Sequence, residues 1–142
     1  MKILVMGLPG AGKTWLAERL VQHLENCAWF NADEVRKAAN DWDFSPEGRI
    51  RQAKRMNNYA NFETGHGRWV ICDFVAPTKN ARKEFNAEYV IWLDTIPAGR
   101  FEDTNKMFEK PENYDHRIDK FLSDDEIKSL AFEIREVPNN EA

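Results

Sequence analysis

The clearest chemical signal in the chain comes from glycines, a lysine and a threonine that follow a short apolar run. Residues 7–14 read GLPGAGKT and match the pattern G-x-x-x-x-G-K-[ST]. In this pattern backbone N–H groups surround a phosphate, the lysine neutralises the β- and γ-phosphates, and the hydroxyl ligates Mg²⁺. The segment therefore predicts a nucleoside-triphosphate site. Its expected nucleotide-binding residues are Gly7, Leu8, Pro9, Gly10, Ala11, Gly12, Lys13 and Thr14.

An acid and a base form a second candidate group. Asp33 and Arg36 stand three positions apart in NADEVR (31–36), directly after the apolar run 28–30. Ligands of open parallel sheets bind beyond the carboxyl ends of the strands, so this pair should face the same crevice as the phosphate loop. A carboxylate there orients or deprotonates an acceptor hydroxyl, and a guanidinium holds an anion. The alternative is a helix-surface ion pair worth only about 0.2–0.5 kcal/mol.

The elements that must position these residues are visible as alternating patterns. Short apolar runs rich in β-branched and aromatic residues predict buried strands at 2–6, 28–30, 68–72 and 89–93. Helical spacing of apolar residues predicts helices at 14–24, 45–63 and 124–136. Strands that alternate with helices indicate an α/β fold, with a parallel sheet and helices on both faces.

Segment 101–115 is polar and has only weak apolar periodicity. It predicts a long loop or a short helix. Two interpretations stay open: an ordinary surface connection, or a lid that closes over the phosphate loop.

Composition sets further limits. The 142 residues are 42% hydrophobic and 31% charged, which predicts one globular domain over 1–142. No apolar run reaches the roughly 18–20 residues that a membrane span needs. The net charge of −4 disfavours loose binding to nucleic acid. Cys27 and Cys72 lack metal-ligand spacing and are expected to be buried thiols in a reducing compartment, so a cytoplasmic chain is predicted.

Four segments in this order resemble the adenylylsulfate (APS) kinases, which transfer the γ-phosphate of ATP to the 3′-hydroxyl of adenosine 5′-phosphosulfate. The segments are GLPGAGKT, NADEVR, DFSPEGR and DFVAPTKNAR, and the likeness covers about residues 1–95. The resemblance implies a three-layer sandwich like that of P-loop nucleoside-triphosphate hydrolases, with strand order 2-3-1-4-5. It also implies ATP and Mg²⁺ as cofactors and a small nucleotide, APS, as partner; a homodimer is allowed.

The resemblance also assigns roles to residues. Lys13 and Asp33 become catalytic, and Asp33 lies on the magnesium side. Arg36 holds the acceptor, Phe44 stacks on its adenine and Arg49 contacts its anionic end. Gln52 stands where the family usually has an acceptor-binding asparagine. The turn that lines the acceptor pocket is formed by Val75, Ala76 and Pro77.

The chain departs from the family pattern at several positions. Asn31 replaces an aspartate, and Asp73 replaces an apolar residue at the end of the third strand. Asp73 is therefore added to Thr14 and Asp33 as a candidate metal ligand. The family's lid motif has no clean counterpart, and its nearest stretch is 102–108. Candidates for lid charge and a second stacking face are Lys106, Lys110, Phe108 and Tyr114, of which Lys110 is assigned to the acceptor.

Those departures leave other functions open: a polynucleotide 5′-hydroxyl kinase, another small-molecule P-loop kinase, or a non-catalytic ATP-binding module. A polynucleotide 5′-hydroxyl kinase would also use an aspartate and an arginine in a segment like NADEVR, and nucleic acid is a partner only on that alternative. A regulatory ATP-binding module without transfer is the third. The short chain and the segments FSPEGR and VAP argue against a polynucleotide kinase. The intact Lys13, Thr14, Asp33 and Arg36 argue against an ATP-binding module without transfer.

Overall fold

The computed structural model describes residues 1–137, which form one parallel sheet covered by helices. The five strands are β1 (Lys2–Met6), β2 (Cys27–Asn31), β3 (Trp69–Asp73), β4 (Tyr89–Leu93) and β5 (His116–Ile118). All neighbouring strands are parallel, and their order is β2-β3-β1-β4-β5. The predicted fold class and strand order are confirmed.

Six α-helices connect or follow the strands. They are α1 (Lys13–Leu20), α2 (Ala32–Ala39), α3 (Pro46–Gly65), α4 (Lys79–Phe85), α5 (Glu102–Met107) and α6 (Asp124–Arg135). Helix α1 is followed by a 3-10 turn, Val21–His23, so the predicted helix 14–24 is shorter as an α-helix. Among the described residues, no helix has both the length and the apolar character of a membrane span.

The sheet separates two apolar cores, which gives the three layers. Side chains of β1 alternate between them, because Ile3 and Val5 join one core and Leu4 and Met6 the other. The first core packs against α1 and α6, and the second against α3 and α4. Both faces of β1 are therefore buried, which explains its uninterrupted apolar sequence.

Local capping fixes where the helices begin. The Ser45 side chain accepts the N–H of Gly48, and Pro46 occupies the first turn of α3. Ser123 and Glu126 form a reciprocal capping box at α6. The Asn31 side chain caps α2. This last cap places α2 directly at the carboxyl end of β2.

Two elements were not identified from the sequence. Strand β5 has only three residues and lies at the sheet edge, so it carries no apolar run. Helix α4 spans seven residues, which is less than two helical turns. Within segment 101–115, the structure contains the short helix α5.

Candidate active site

The phosphate-binding loop, residues 7–12, connects the buried strand β1 to α1. The Ala11 N–H donates to the Leu8 carbonyl at 3.0 Å, and the Lys13 ammonium donates to the same carbonyl at 3.1 Å. Gly7 leaves no space for a side chain, because a Cβ there would lie 2.7 Å from the Leu93 carbonyl oxygen. Helix α1 has no acid in its first turn, so its positive end is open to an anion.

The Lys13 ammonium lies among charged neighbours. Burial lowers the pKa of Lys13 to about 8, while the carboxylates of Asp73 and Asp33 act to raise it. The guanidinium groups of Arg49 and Arg100 add to the lowering. Lys13 therefore sits between two carboxylates and two guanidinium groups at the centre of the site.

Asp73 ends β3 and lies beneath the phosphate loop with 2% of its surface exposed. Its Oδ2 accepts the indole N–H of Trp29 at 2.6 Å, and its Oδ1 accepts the Thr14 hydroxyl at 3.4 Å. The Asn31 amide donates to both carboxylate oxygens, at 3.1 and 3.3 Å. Burial raises the pKa of Asp73, and these hydrogen bonds and Lys13 oppose the rise. The structure thus brings Asp73 to the candidate metal ligand Thr14.

Asp33 lies in the first turn of α2, where its exposed side chain lines the cleft beside the phosphate loop. The side-chain oxygen Oδ1 of Asn31 accepts the N–H of Glu34 at 3.1 Å and holds this turn against the end of β2. This placement agrees with the prediction that Asp33 lies in the same crevice as Lys13 and Thr14.

Arg36 also lines the cleft, but its guanidinium has a structural task. Only 2% of Arg36 is exposed, and its Nη1 donates to the carbonyls of Asp41 at 2.9 Å and Asp43 at 3.2 Å. The guanidinium carbon lies 4.5 Å from the Phe44 ring centroid. Arg36 therefore shapes the loop 41–45, which contains Phe44.

Two further arginines hold the same loop from α3. Asp41 accepts Arg51 at 2.7 Å and Arg55 at 2.8 Å, and Arg51 reaches Asp43 at 3.1 Å. Hydrogen bonds from Arg51 and then Arg55 hold the pKa of Asp41 far below its ordinary value. We call Asp41, Asp43, Arg51 and Arg55 the loop clamp. It fixes Phe44, which remains 48% exposed at the cleft.

Arg49 differs from the arginines of the loop clamp because it has no carboxylate partner within residues 1–137. Its Nη2 donates to the Thr104 hydroxyl at 2.7 Å, while its Nε is buried without a hydrogen bond. The guanidinium lies 4.9 Å from the Phe44 ring centroid. Burial, and then the charge of Arg36, lowers the pKa of Arg49 to about 10. An anion in the cleft would supply the missing partner.

Other predicted acceptor residues lie in the same cleft. Gln52 donates to the Ala32 carbonyl at 3.1 Å and accepts Arg55 at 2.7 Å, so its amide connects α2 to α3. The turn Val75, Ala76 and Pro77 forms part of the wall. Arg82 supports this turn by donating to the Ala76 carbonyl at 2.9 Å.

Segment 101–115 contributes to the cleft through its beginning. Arg100, Phe101, Asp103 and Thr104 line it. Lys110 lies outside the lining of this cleft in the described part of the chain, as do Lys106, Phe108 and Tyr114. The Glu109 N–H donates to the carbonyl of the wall residue Pro77 at 2.7 Å, but the Lys110 side chain itself is exposed outside the lining. The acceptor role predicted for Lys110 therefore has no support in the geometry.

Together these residues enclose a cleft of about 790 Å³ that runs from the phosphate loop to Phe44 and Arg49. Gly7, Leu8 and Ala11 are buried residues of the phosphate loop and do not line the cleft. Sequence reasoning missed several lining residues because no motif marks them. These are Trp15, Trp42, Arg100, Phe101 and Phe121.

The cleft fits the chemistry of phosphoryl transfer. One end presents the loop amides, an ammonium and the positive end of α1. The other presents a guanidinium and aromatic faces, with the Asp33 carboxylate lining the same cleft. A phosphorylated donor and an anionic, flat-ringed acceptor could therefore meet in one cleft.

Comparison with known proteins agrees with this chemistry. The sequence profile described as "Adenylylsulphate kinase" matches residues 1–93. A probable adenylyl-sulfate kinase of Aeropyrum pernix is 37% identical over 81 residues, which cover 54% of this chain and 44% of that protein. A cytidine diphosphoramidate kinase of Campylobacter jejuni is 26% identical over 100 residues, covering 65% and 59% of the two chains. The matched stretches are thus less than two thirds of either relative.

Solved structures share the fold. The APS kinase CysC of Mycobacterium tuberculosis, in complex with AMPPNP and APS, superposes with a TM-score of 0.76 at 19% identity. The superposition covers 95% of both chains. At this identity the likeness concerns the fold.

Proposed function

The chain belongs to the adenylylsulphate kinase family, and from this premise we propose that it transfers the γ-phosphate of ATP to the 3′-hydroxyl of APS. One observation carries the proposal. A single cleft joins the phosphate-binding loop to Asp33 and to Arg49, a guanidinium that has no carboxylate partner among residues 1–137 and lies against the exposed ring of Phe44.

On the donor side, the loop amides and Lys13 bind the phosphates of ATP. Lys13 and the positive end of α1 stabilise the charge that spreads over the transferring phosphoryl group. Trp15 and Phe121 lie at this end of the cleft with ring centroids 5.3 Å apart and offer apolar surface to the donor. The donor is thus bound mainly through its phosphates.

On the acceptor side, Asp33 orients the acceptor hydroxyl and accepts its proton. Arg49 binds the anionic end of the acceptor, and Phe44 supports its base. Arg36 acts on the acceptor mainly through the loop 41–45, whose carbonyls it binds. Because Arg36 also lines the cleft, part of its guanidinium surface faces the acceptor.

The residues of the site fit Mg²⁺. Thr14 and Asp73 present a hydroxyl and a carboxylate oxygen 3.4 Å apart, and Asp33 lines the same cleft. Mg²⁺ prefers such oxygen ligands and takes the rest of its coordination from phosphates and water. When bound, the ion neutralises charge on the β- and γ-phosphates. Thr14 and Asp73 would hold it, and Lys13 would share that charge.

Segment 101–115 is proposed as the lid. Its helix α5 borders the cleft through Phe101, Asp103 and Thr104. Asn105 exchanges hydrogen bonds with the Gly99 backbone at 2.8 and 2.9 Å, and Arg49 holds Thr104. An anion that binds Arg49 would compete with Thr104 and so couple acceptor binding to the position of α5. Closure would exclude water and suppress ATP hydrolysis.

A second candidate acceptor is a cytidine-linked anion. The observation in its favour is the name of the C. jejuni relative, a cytidine diphosphoramidate kinase. Stacking on Phe44 does not by itself distinguish a purine from a pyrimidine, because both offer a flat face. This candidate keeps the same donor site and the same role for Asp33.

A phosphoryl-transfer panel tests the proposal. The protein is incubated with ATP and Mg²⁺ and with APS, cytidine diphosphoramidate or a 5′-hydroxyl oligonucleotide, and products are identified by mass and by the position of the new phosphate. We expect kcat/KM for APS to exceed that for either other acceptor by at least about tenfold, which is 1.4 kcal/mol. Transfer to the cytidine compound or oligonucleotide with none to APS would overturn the acceptor assignment. Hydrolysis of ATP without transfer to any of the acceptors would overturn the proposal that the protein is a kinase.

A further inference from the structure

The carboxylate of Asp73 is held by two side chains of the neighbouring strand β2. Trp29, in β2, donates its indole N–H to Oδ2 at 2.6 Å. Asn31, at the end of the same strand, donates its amide to both oxygens. The strands are in register here, since Asn31 lies opposite Asp73. The proposed function uses Asp73, yet it gives Trp29 and Asn31 no role.

Asn31 has a fixed orientation. Its Oδ1 accepts the Glu34 N–H at 3.1 Å, and only the oxygen of a carboxamide can accept. Its NH₂ group must therefore point the other way, towards Asp73 and towards the Thr14 hydroxyl oxygen at 3.0 Å. One side chain thus connects the cap of α2, the buried carboxylate and the hydroxyl of the phosphate loop.

The hydrogen bonds also decide which carboxylate oxygen faces the site. Trp29 occupies Oδ2, the oxygen turned towards β2, and Thr14 contacts Oδ1. When a buried carboxylate loses a hydrogen-bond donor, its desolvation is no longer compensated unless the carboxylate rotates towards another donor. Trp29 and Asn31 therefore fix the direction in which Oδ1 points.

We propose that Trp29 and Asn31 are positioning residues that hold Asp73 Oδ1 at Thr14, and that positions 31 and 73 work as a pair of one carboxamide and one carboxylate. The orienting role rests on the proposed function, because it concerns Mg²⁺ and the phosphates. The pairing itself is a property of the fold and can be tested without any ligand.

An exchange of the two groups keeps the contacts to Trp29, Thr14 and Glu34 and one hydrogen bond between positions 31 and 73, whose direction is reversed. It loses the longer contact to Oδ2, at 3.3 Å. With a carboxylate at 31 and a carboxamide at 73, one carboxylate oxygen accepts the Glu34 N–H, and the other faces Thr14. The carboxamide at 73 accepts Trp29 and donates to the carboxylate at 31. By contrast, Asn31→Asp alone puts two carboxylates where the atoms now lie 3.1–3.3 Å apart. The single substitution keeps the helix cap, because aspartate caps as well as asparagine.

The first experiment is a thermal-unfolding cycle in EDTA with the natural protein, Asn31→Asp, Asp73→Asn and the double variant. We expect Asn31→Asp to lower Tm by about 2–4 °C, as a loss of roughly 1 kcal/mol does in a domain of this size. The double variant should regain at least half of that loss. Asn58→Asp, an exposed change of the same type on α3, is the control and should leave Tm unchanged. A double variant that melts no higher than Asn31→Asp overturns the pairing.

The second experiment measures the affinity for a non-hydrolysable ATP analogue by calorimetry, with Mg²⁺ and with EDTA. We expect Asp73→Asn to reduce the gain in affinity that Mg²⁺ provides by at least about tenfold, as changes around metal ligands usually do. The double variant should recover it, because the carboxylate at 31 lies beside Thr14. Recovery of Tm without recovery of the Mg²⁺ effect would make the pair merely structural and would overturn the positioning role.

Trp29→Phe tests the orientation separately, since it removes the indole donor and keeps an aromatic ring against the core. We expect a loss of roughly 10–100-fold in the Mg²⁺-dependent affinity, with affinity in EDTA unchanged. Trp69→Phe, on the neighbouring strand and away from the cleft, is the matched control. An unchanged Mg²⁺ effect in Trp29→Phe overturns its role. If the natural protein itself shows no Mg²⁺-dependent binding, the proposed function fails, while the unfolding cycle still decides the pairing.

Discussion

The phosphate-binding loop 7–12 and the loop 41–45 line one cleft, but different forces hold them. The phosphate loop is held mainly by its own backbone and by Lys13, through contacts no more than five residues apart, and the Thr95 hydroxyl adds one distant hydrogen bond to the Ala11 carbonyl at 2.7 Å. The loop 41–45 is held by arginines of two helices, with Arg55 contacting Asp41 across 14 residues of sequence. One half of the site is therefore built locally, and the other half by charged side chains.

This difference predicts how the two halves respond to substitution. Backbone amides bind a phosphate whatever the neighbouring side chains are, so the donor half depends on few residue types. The acceptor half depends on guanidinium and carboxylate groups, and each can be lost by one substitution. Changes in the donor half should abolish transfer to every acceptor, whereas changes in the acceptor half should alter acceptor affinity alone.

The largest effect is expected where the two halves meet, at Asp33. Asp33→Asn should lower kcat by roughly 10²–10⁴, the usual contribution of a general base. Steady-state kinetics at saturating ATP and APS measures this. Glu34→Gln, on the same helical turn but outside the cleft lining, is the control. A kcat within about threefold of the natural value would move the catalytic role to another carboxylate, and Asp73 would be the first to examine.

Lys13 tests the donor half. Lys13→Ala should lower kcat by roughly 10²–10³ with every acceptor, since it removes one charge that stabilises the transition state. Circular dichroism should show an intact fold, because the loop keeps its backbone hydrogen bonds. Lys128→Ala, an exposed change on α6, is the control. A defect confined to one acceptor would contradict the division into halves.

Arg49 tests the acceptor half. Arg49→Ala should raise KM for APS by about 10–150-fold, the value of a charge-assisted hydrogen bond of 1.5–3 kcal/mol, and leave KM for ATP unchanged. For Arg49→Lys, KM for APS should lie between those of the natural protein and Arg49→Ala, because lysine keeps the charge but lacks the planar guanidinium group. A selective increase in KM for ATP would assign Arg49 to the donor instead.

The smallest effect is expected from the loop clamp. Asp41→Asn removes the charge that pairs with Arg51 and Arg55 and should raise KM for APS by about 2–10-fold, equivalent to one ordinary hydrogen bond. Turnover and KM for ATP should not change, because the substitution displaces Phe44 but leaves the phosphate loop in place. Asp125→Asn on α6 is the control. An equal rise in both Michaelis constants would mean that the clamp supports the whole domain.

The sequence predicted the donor half well and the acceptor half less well. GLPGAGKT is a contiguous pattern, and its position between β1 and α1 follows from neighbouring residues. Arg36 was predicted to hold the acceptor, but the structure also uses it to bind the loop carbonyls. Lys110 was predicted from its charge, yet its side chain lies outside the cleft lining. The catalytic and binding roles themselves stay predictions.

By itself the sequence determined the α/β class, the parallel sheet, the phosphate loop and the place of Asp33, because these depend on periodicity and contiguous spacing. Tertiary structure alone decided which side chains meet. Trp29 and Asp73 are 44 residues apart, and only the register of β2 against β3 brings the indole to the carboxylate. Likewise Arg49 donates to Thr104 but, in the described part of the chain, meets no acidic side chain. Such contacts depend on how elements pack, since hydrogen bonds act over about 3 Å in space whatever the separation along the chain.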